Sequence, residues 1–125
     1  MSLIDMLRGN ATEADAEKIR KELEPLLVPG EEVERAYRLV RDLIVFTTHR
    51  LIFVDKQGVS GTKVEWMSIP YNKVTRFSAE TAGLMDFDAE FRVWVGSSEA
   101  PIRIEVGRSV PVADLLKVLG SHVLR

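Results

Sequence analysis

Cysteine is absent from this chain of 125 residues, and no run of about 20 apolar residues occurs in it. The first absence excludes disulfides, thiol nucleophiles and thiolate metal sites. The second leaves no segment that could span a bilayer as a helix. The first residues carry no basic group ahead of their short apolar run, which Asp5 interrupts, so they do not resemble a secretory signal. We therefore expect a cytoplasmic protein.

The net charge is only −2, but it is unevenly distributed along the chain. Residues 11–34 contain eight acids and three bases, whereas residues 35–76 contain eight bases and three acids. A net charge near zero argues against general nucleic-acid binding. The separation of acidic and basic residues along the chain leaves two alternatives. Either the acidic and basic halves attract each other, within one subunit or between subunits, or the basic half meets an anion.

Hydrophobic periodicity predicts a helix, then seven strands, then a second helix. The first helix has Thr12 as its expected N-cap, Pro25 as an early bend or end, and a stop at Pro29-Gly30. The second helix is expected to start near Ser109, with Pro111 in its first turn. The seven strands are predicted at 33–40, 43–48, 50–55, 63–69, 74–80, 88–95 and 102–106.

The second and third strands are apolar on both faces, which is unusual for an antiparallel sheet with one wet side. One face fills the core, and the other must be covered by a helix or by another subunit. The N-terminal helix therefore either packs on its own sheet or lodges against a neighbour. Trp66 and Trp94 are expected to anchor the core or an interface. The candidate oligomer contacts are Leu3, Ile4, Leu7, Ile44, Phe46, Ile52 and Val54.

Five basic residues are expected at strand ends and loops of the basic half. They are Arg50, Lys56, Lys63, Lys73 and Arg76. A functional interpretation makes them a site for an anion or an acidic peptide, or an interface. The simpler interpretation is a solvated face, or ion pairs with the acidic helix of a neighbour, because exposed charges commonly do no more than this.

No arrangement of residues predicts catalysis, a cofactor site or a metal site. Asp86, Asp88 and Glu90 alternate along a strand and lack the further oxygen ligands of a calcium loop. His49 and His122 have no second ligand at metal-binding spacing. We therefore expect a protein that is not an enzyme.

Four segments carry a resemblance to a known family: Ala36-Tyr37 ahead of Arg41-Asp42, then FTTHRLIFVDKQGVSGTKVEWMSIPY (46–71), RFSAETAG (76–83) and DAE (88–90). Along nearly all its length the chain resembles the bacterial pleckstrin-homology (PH) family, once catalogued only as a domain of unknown function. The resemblance implies a PH-like split barrel of seven antiparallel strands capped by a C-terminal helix, here over 31–125, with a helical arm over 1–30. It also implies ring-shaped homo-oligomers, pentamers being the expected size, with no known enzymatic activity and no established ligand.

The resemblance does not bring phosphoinositide binding with it. Eukaryotic PH domains that bind inositol phosphates generally use basic side chains around an open loop between the first two strands. Here that link is Arg41-Asp42, which is too short, and its acid would repel a phosphate. The leading hypothesis is a non-enzymatic interaction or scaffold module with an unknown protein or peptide partner. The alternative is a peripheral-membrane or anionic-ligand module, which Asp5 and the acidic arm disfavour.

Overall fold

Seven antiparallel strands in two sheets, with a helix at each end, make up the fold. The computed structural model describes residues 7–8, 13–39, 42–58, 62–81, 89–107 and 110–124. The helices are α1 (Glu13–Leu23) and α2 (Val112–Val123). The strands are β1 (Leu7–Arg8), β2 (Val33–Arg38), β3 (Leu43–Thr47), β4 (Arg50–Gln57), β5 (Lys63–Pro70), β6 (Val74–Thr81), β7 (Ala89–Val95) and β8 (Ile102–Val106). From α1 onward, the predicted order of helix, seven strands and helix is confirmed, and the short β1 precedes it.

Within each sheet the strands form a meander in which each one pairs with its neighbour in the chain, and β5 and β6 lie in different sheets. The first sheet has the order β1-β2-β3-β4-β5, and the second has the order β6-β7-β8. Every pairing from β2 onward is antiparallel. The two-residue β1, which the sequence did not predict, pairs parallel with β2 through Leu7 and Ala36. Leu3 and Ile4 lie outside the described residues.

The interior of the barrel is filled from the inward faces of both sheets and from α2. In the β3–β4 register, Ile44 lies opposite Phe53 and Phe46 lies opposite Leu51. These four side chains belong to one buried cluster with Phe91 on β7. The alternation predicted for β7 is confirmed, because its inward row is more buried than its polar row. Helix α2 closes the barrel with Leu115 and Leu119, both completely buried.

A second buried cluster lies on the outer side of the first sheet, beneath α1. Ile19 and Leu23 of the helix are each 1% exposed. They pack against the outward side chains of β2, β3 and β4, which are Ala36, Leu43, Val45, Ile52 and Val54. The doubly apolar strands are therefore buried on both sides within one chain. The sequence allowed either a helix or another subunit to cover the outer face of β3 and β4. In the structure, the chain's own helix α1 covers it.

This arrangement corrects the assignment of oligomer contacts on β3 and β4. Ile44 and Phe46 face the barrel interior, whereas Ile52 and Val54 face α1, so the four do not share a surface. None of them is more than 1% exposed. They offer no surface to a second copy, and their apolar character is explained by packing inside one subunit.

Proline and a bulge shape the connection from α1 into the barrel. Helix α1 ends at Leu23, and Pro25 lies in the first turn of the 3-10 helix Glu24–Leu26 that follows, where its missing N–H costs no hydrogen bond. A register shift between Val33 and Arg35 interrupts β2. Strict alternation would place Val33 and Tyr37 on one face, but Val33 packs beside the α1 cluster while Tyr37 enters the barrel.

The C-terminal helix α2 begins at Val112, directly after Pro111, which the sequence had placed inside the helix. Pro111 is the N-cap of α2, where the sequence placed it in the first turn. Ser109 and Thr12, the predicted N-caps, lie outside the described residues. Neither α1 nor α2, the longest helices in the described part of the chain, is long and apolar enough to cross a membrane.

Replacing Ile19 with Ala tests whether α1 is a structural part of the barrel. The lost methyl groups leave a cavity over β3 and β4, so the free energy of unfolding should fall by about 2–4 kcal/mol in urea titrations. Lys18→Ala, at the exposed neighbouring position, is the control and should change it by no more than about 0.5 kcal/mol. Equal, small losses in both variants would contradict the packing.

Candidate functional site

The two-residue turn between β3 and β4 lies at one end of the barrel, next to the linker from α1. Thr47, the last residue of β3, organises this turn with its hydroxyl group. The hydroxyl oxygen accepts the backbone N–H groups of His49 at 3.0 Å and of Arg50 at 2.9 Å. The hydroxyl proton goes to Glu31, whose Oε2 is 2.6 Å away. The Tyr71 hydroxyl donates to the Thr47 carbonyl at 2.7 Å, so the turn is also fixed from the β5–β6 side.

Glu31 and Arg50 form a two-point ion pair behind this turn. Arg50 Nε and Nη2 donate to the two Glu31 carboxylate oxygens at 2.8 and 2.9 Å. Arg50 also donates to the Leu26 carbonyl at 2.6 Å, and Glu31 accepts the Val28 N–H at 3.0 Å. The Glu31 side chain has no exposed surface, and that of Arg50 is 21% exposed. The pair therefore ties the α1 linker to β4.

Hydrogen bonding overcomes burial in setting the charge of Glu31. Burial by itself raises the pKa of this carboxyl, but the bonds from Arg50, Thr47 and the Val28 N–H, with the positive charge of Arg50, lower the pKa to about 2. Glu31 is therefore a carboxylate at neutral pH. Burial, with help from the negative charge of Glu34, raises the pKa of Tyr71 well above its ordinary value, so Tyr71 remains a neutral phenol and a donor.

A groove with a volume of about 620 Å³ opens between the β3–β4 turn, the β5–β6 junction and the end of α2. Its lining residues are Thr48, His49, Pro70, Tyr71, Asn72, Val74, His122 and Val123. His49 and Asn72 are exposed to solvent, whereas Tyr71 and Val74 are buried. The groove thus places the buried Tyr71 and Val74 beside the exposed imidazole of His49 and the exposed amide of Asn72, and its surface is more polar than apolar.

His122 holds the end of α2 against the barrel beside this groove. Its ring stacks parallel to the Tyr71 ring with 4.0 Å between the ring centres. Its Nε2 lies 2.6 Å from Glu34 Oε1 on β2. Because a carboxylate can only accept, this contact assigns the proton to Nε2. Eighty-eight positions separate His122 from Glu34, so local sequence spacing could not reveal the pair.

The structure separates the five basic candidates instead of gathering them. Arg50 pairs with Glu31 and Lys56 pairs with Glu22 of α1 at 3.5 Å, so the acidic arm and the basic half meet within one chain. The remaining three candidates are Lys63 at the start of β5, Lys73 between β5 and β6, and Arg76 on β6. The Arg76 guanidinium lies 4.1 Å from the centre of the Trp94 ring. No single anion site brings the five together.

Neither tryptophan is a core residue, which corrects part of their predicted role. Trp66 on β5 is 47% exposed. Trp94 is partly exposed and donates its indole N–H to the Glu99 carbonyl at 3.2 Å. Trp94 is also covered by Arg76, whereas Trp66 leaves a large apolar surface open at the sheet edge. Whether Trp66 anchors an interface stays a prediction.

The residues considered for metal binding are placed as follows. Glu90 bonds to Arg92 at 2.6 Å and to Arg103 at 2.7 Å, while Asp86 and Asp88 lie outside the described residues. Among the residues that the structure describes, no three His, Cys, Asp or Glu side chains are placed to hold a metal ion.

Two sheets define a PH-like split barrel closed by a C-terminal helix: one of five strands, antiparallel from β2 onward, and one of three antiparallel strands. Residues 2–123 match the family described as bacterial PH domain, and the chain therefore belongs to the bacterial PH domain family. The family that the sequence resembled is confirmed, and with it the fold.

Individual proteins agree with this placement over almost the whole chain. The chain is 46% identical to the uncharacterized protein YjqA of Bacillus subtilis (strain 168), covering 97% of this chain and 98% of that protein. A pleckstrin homology domain of Shewanella amazonensis SB2B superimposes with a TM-score of 0.80 at 44% identity, covering 94% of both chains. A DUF1696 family protein with a pleckstrin-homology domain from Shewanella loihica PV-4 gives 0.74 at 39% identity, covering 86% of this chain and 92% of that one.

Glu31→Gln should remove most of the acid sensitivity of the fold. The folded pKa of Glu31 is lowered from 4.5 to about 2, so its stabilisation is complete above pH 4.5 and disappears as the pH falls towards 2. A shift of this size corresponds to roughly 3 kcal/mol. In urea titrations, the wild-type free energy of unfolding should fall over this interval, and Glu31→Gln should start lower and fall much less.

The neighbouring substitution Glu32→Gln is the matched control for this experiment. Glu32 is exposed and contributes only backbone groups to the turn, through its N–H to Thr48 Oγ1 and its carbonyl to the Thr48 N–H. This variant should follow the wild-type acid profile. The assignment would be contradicted if Glu31→Gln and wild type lost stability in parallel across the interval.

Proposed function

We propose that this chain is a non-enzymatic PH-like interaction module that assembles copies of itself into a ring-shaped homo-oligomer. The observation that carries the proposal is the open edge of the first sheet. Strand β5 ends that sheet and has only β4 as a strand neighbour among the described residues. An exposed strand edge is a template for pairing with another chain.

Trp66 makes this edge suited to a partner. Its side chain is 47% exposed, and with Val28 and Leu124 it is one of three large apolar side chains that the described surface exposes to this degree. Half-exposed tryptophans are typical anchors of protein interfaces. The support for self-assembly thus comes from the edge of the sheet and not from the face covered by α1.

A ring would also present several copies of the groove, one on each subunit. Each copy carries one groove beside His49 and His122, and a ring repeats it in a fixed arrangement. Binding by several linked sites can exceed the affinity of a single site by orders of magnitude, about 10²–10⁴-fold for two linked sites. We assign the groove face to an unknown protein or peptide partner for this reason. The alternative of an anionic ligand or membrane surface has less support, since Arg50 and Lys56 already pair with carboxylates.

Sedimentation velocity combined with light scattering tests the assembly. A defined species at a whole-number multiple of 14.1 kDa is expected, dissociating on dilution. Trp66→Ser should shift that dissociation to higher concentration by about tenfold or more, since interface tryptophans often contribute 2 kcal/mol or more. A 14.1 kDa species at every concentration would end the proposal.

Trp94→Phe provides both a control and an optical readout. Trp94 packs under Arg76 on the other sheet, so its replacement should leave assembly unchanged. In this variant Trp66 is the sole indole, because the chain has two tryptophans. Its emission should shift to shorter wavelength as the oligomer forms. Emission that is independent of concentration while the mass rises would place the contact elsewhere.

A further inference from the structure

Two glutamates at the edges of the sheets face other carboxylates without a cation of their own. Glu65 on β5 lies opposite Asp55 on β4. Glu105 on β8 lies opposite Glu90 on β7. Like charges directly opposite each other destabilise a sheet. Both glutamates are exposed, and both lie on the end strand of their sheet as the described residues define it.

The arginines near Glu105 already bond to other carboxylates within the chain. Arg92 bonds to Glu80 at 2.7 Å and to Glu90 at 2.6 Å, and Arg103 bonds to Glu90 at 2.7 Å. On the other sheet, the Gln57 amide donates to Asp55 at 3.0 Å. Within the described part of the chain, Glu65 and Glu105 are therefore the members of their rows that are left without a donor.

The edge strands β5 and β8 contain the same order of residue types. Strand β5 begins Lys63-Val64-Glu65, and β8 contains Arg103-Ile104-Glu105. Both segments run cation, apolar residue, anion. Laid antiparallel, they place Lys63 opposite Glu105 and Glu65 opposite Arg103, with Val64 opposite Ile104. A parallel alignment in the same register would instead oppose like charges.

We propose that β5 of one copy pairs antiparallel with β8 of a second copy, so that each uncompensated glutamate receives a cation from the partner. This inference rests on the proposed self-assembly and names its contact. The same register brings Trp66 opposite Ile102, and Pro101, which has no N–H, ends the pairing there. Because the two edges differ, the contact is heterologous, and successive copies can close into a ring.

Exchanging the charges within each edge tests the pairing. The variants are Lys63→Glu/Glu65→Lys on β5, Arg103→Glu/Glu105→Lys on β8, and the combination of all four. Each double exchange turns two attractive contacts into repulsive ones. Each should raise the concentration of half-dissociation by about tenfold or more, and the fourfold variant should return it to within about threefold of wild type.

A 1:1 mixture of the two double exchanges is a second test. Alternating copies restore every contact in an even-membered ring and leave one mismatch in an odd one. Arg103 also binds Glu90, so the single substitutions Lys63→Glu and Glu105→Lys, apart and together, repeat the test without disturbing that bond. Lys117→Glu, at an exposed position of α2, is the control for a charge reversal and should leave the oligomer unchanged.

The outcomes separate this contact from the wider proposal. If Lys63→Glu/Glu65→Lys leaves the concentration of half-dissociation unchanged, the β5–β8 pairing is overturned while self-assembly stands. That result would also fit β5 pairing with itself about Val64, since the exchange leaves Lys63 and Glu65 complementary there. Failure of the fourfold variant to recover, when both doubles dissociate and remain folded, overturns the pairing as well. A wild-type monomer removes the proposed function itself.

Discussion

The burial of both faces of β3 and β4 is the constraint on which the rest of the molecule depends. A strand with apolar residues on both sides must have a layer on each side, and here those layers are the barrel interior and α1. Ile19 and Leu23 supply the outer layer, so α1 is part of the hydrophobic core and not an appended arm. Large apolar side chains lost from this layer would expose a face that water cannot satisfy.

The ion pair between Glu31 and Arg50 fixes where that outer layer sits. It joins the linker that follows α1 to the first residue of β4, and the Thr47 hydroxyl and the Tyr71 phenol attach the same point to the β3–β4 turn and to the β5–β6 junction. Three segments distant in sequence thus meet at one barrel end. The groove lies beside this meeting point, so its walls are held by bonds that do not depend on a ligand.

Periodicity predicted the elements well because each strand and helix carries its own pattern of buried and exposed positions. The β7 alternation and the end of α1 ahead of Pro25 are examples. The pattern also predicted that β3 and β4 need two covers, but it could not choose between a helix and a second copy, since it shows only that a face is buried and not by what. The bulge in β2 could not be predicted, because nothing in the residue types marks the extra residue. That residue places Val33 and Tyr37 on opposite faces of the strand.

Most of the candidate site could not be predicted from the sequence. His122 and Glu34 meet across the whole fold, and Glu31 and Arg50 meet only because the linker folds back over the β3–β4 turn. Nothing in their local spacing marks these residues. The five basic residues, in contrast, were visible in the sequence but do not form one site, because β4 places Arg50 and Lys56 at its two ends and each finds an acid nearby.

The location of these ion pairs also determines how charge could act between copies. If the acidic arm and the basic half met across subunits, salt would weaken any assembly through many contacts at once. Those halves are instead matched inside one chain by Arg50 with Glu31 and Lys56 with Glu22. In the assembly that we propose, electrostatic specificity between copies would then come from exposed charges outside these pairs, among them those at the strand edges. Such charges are exposed and individually weak, so they would select the register of a contact while buried apolar surface supplies its affinity.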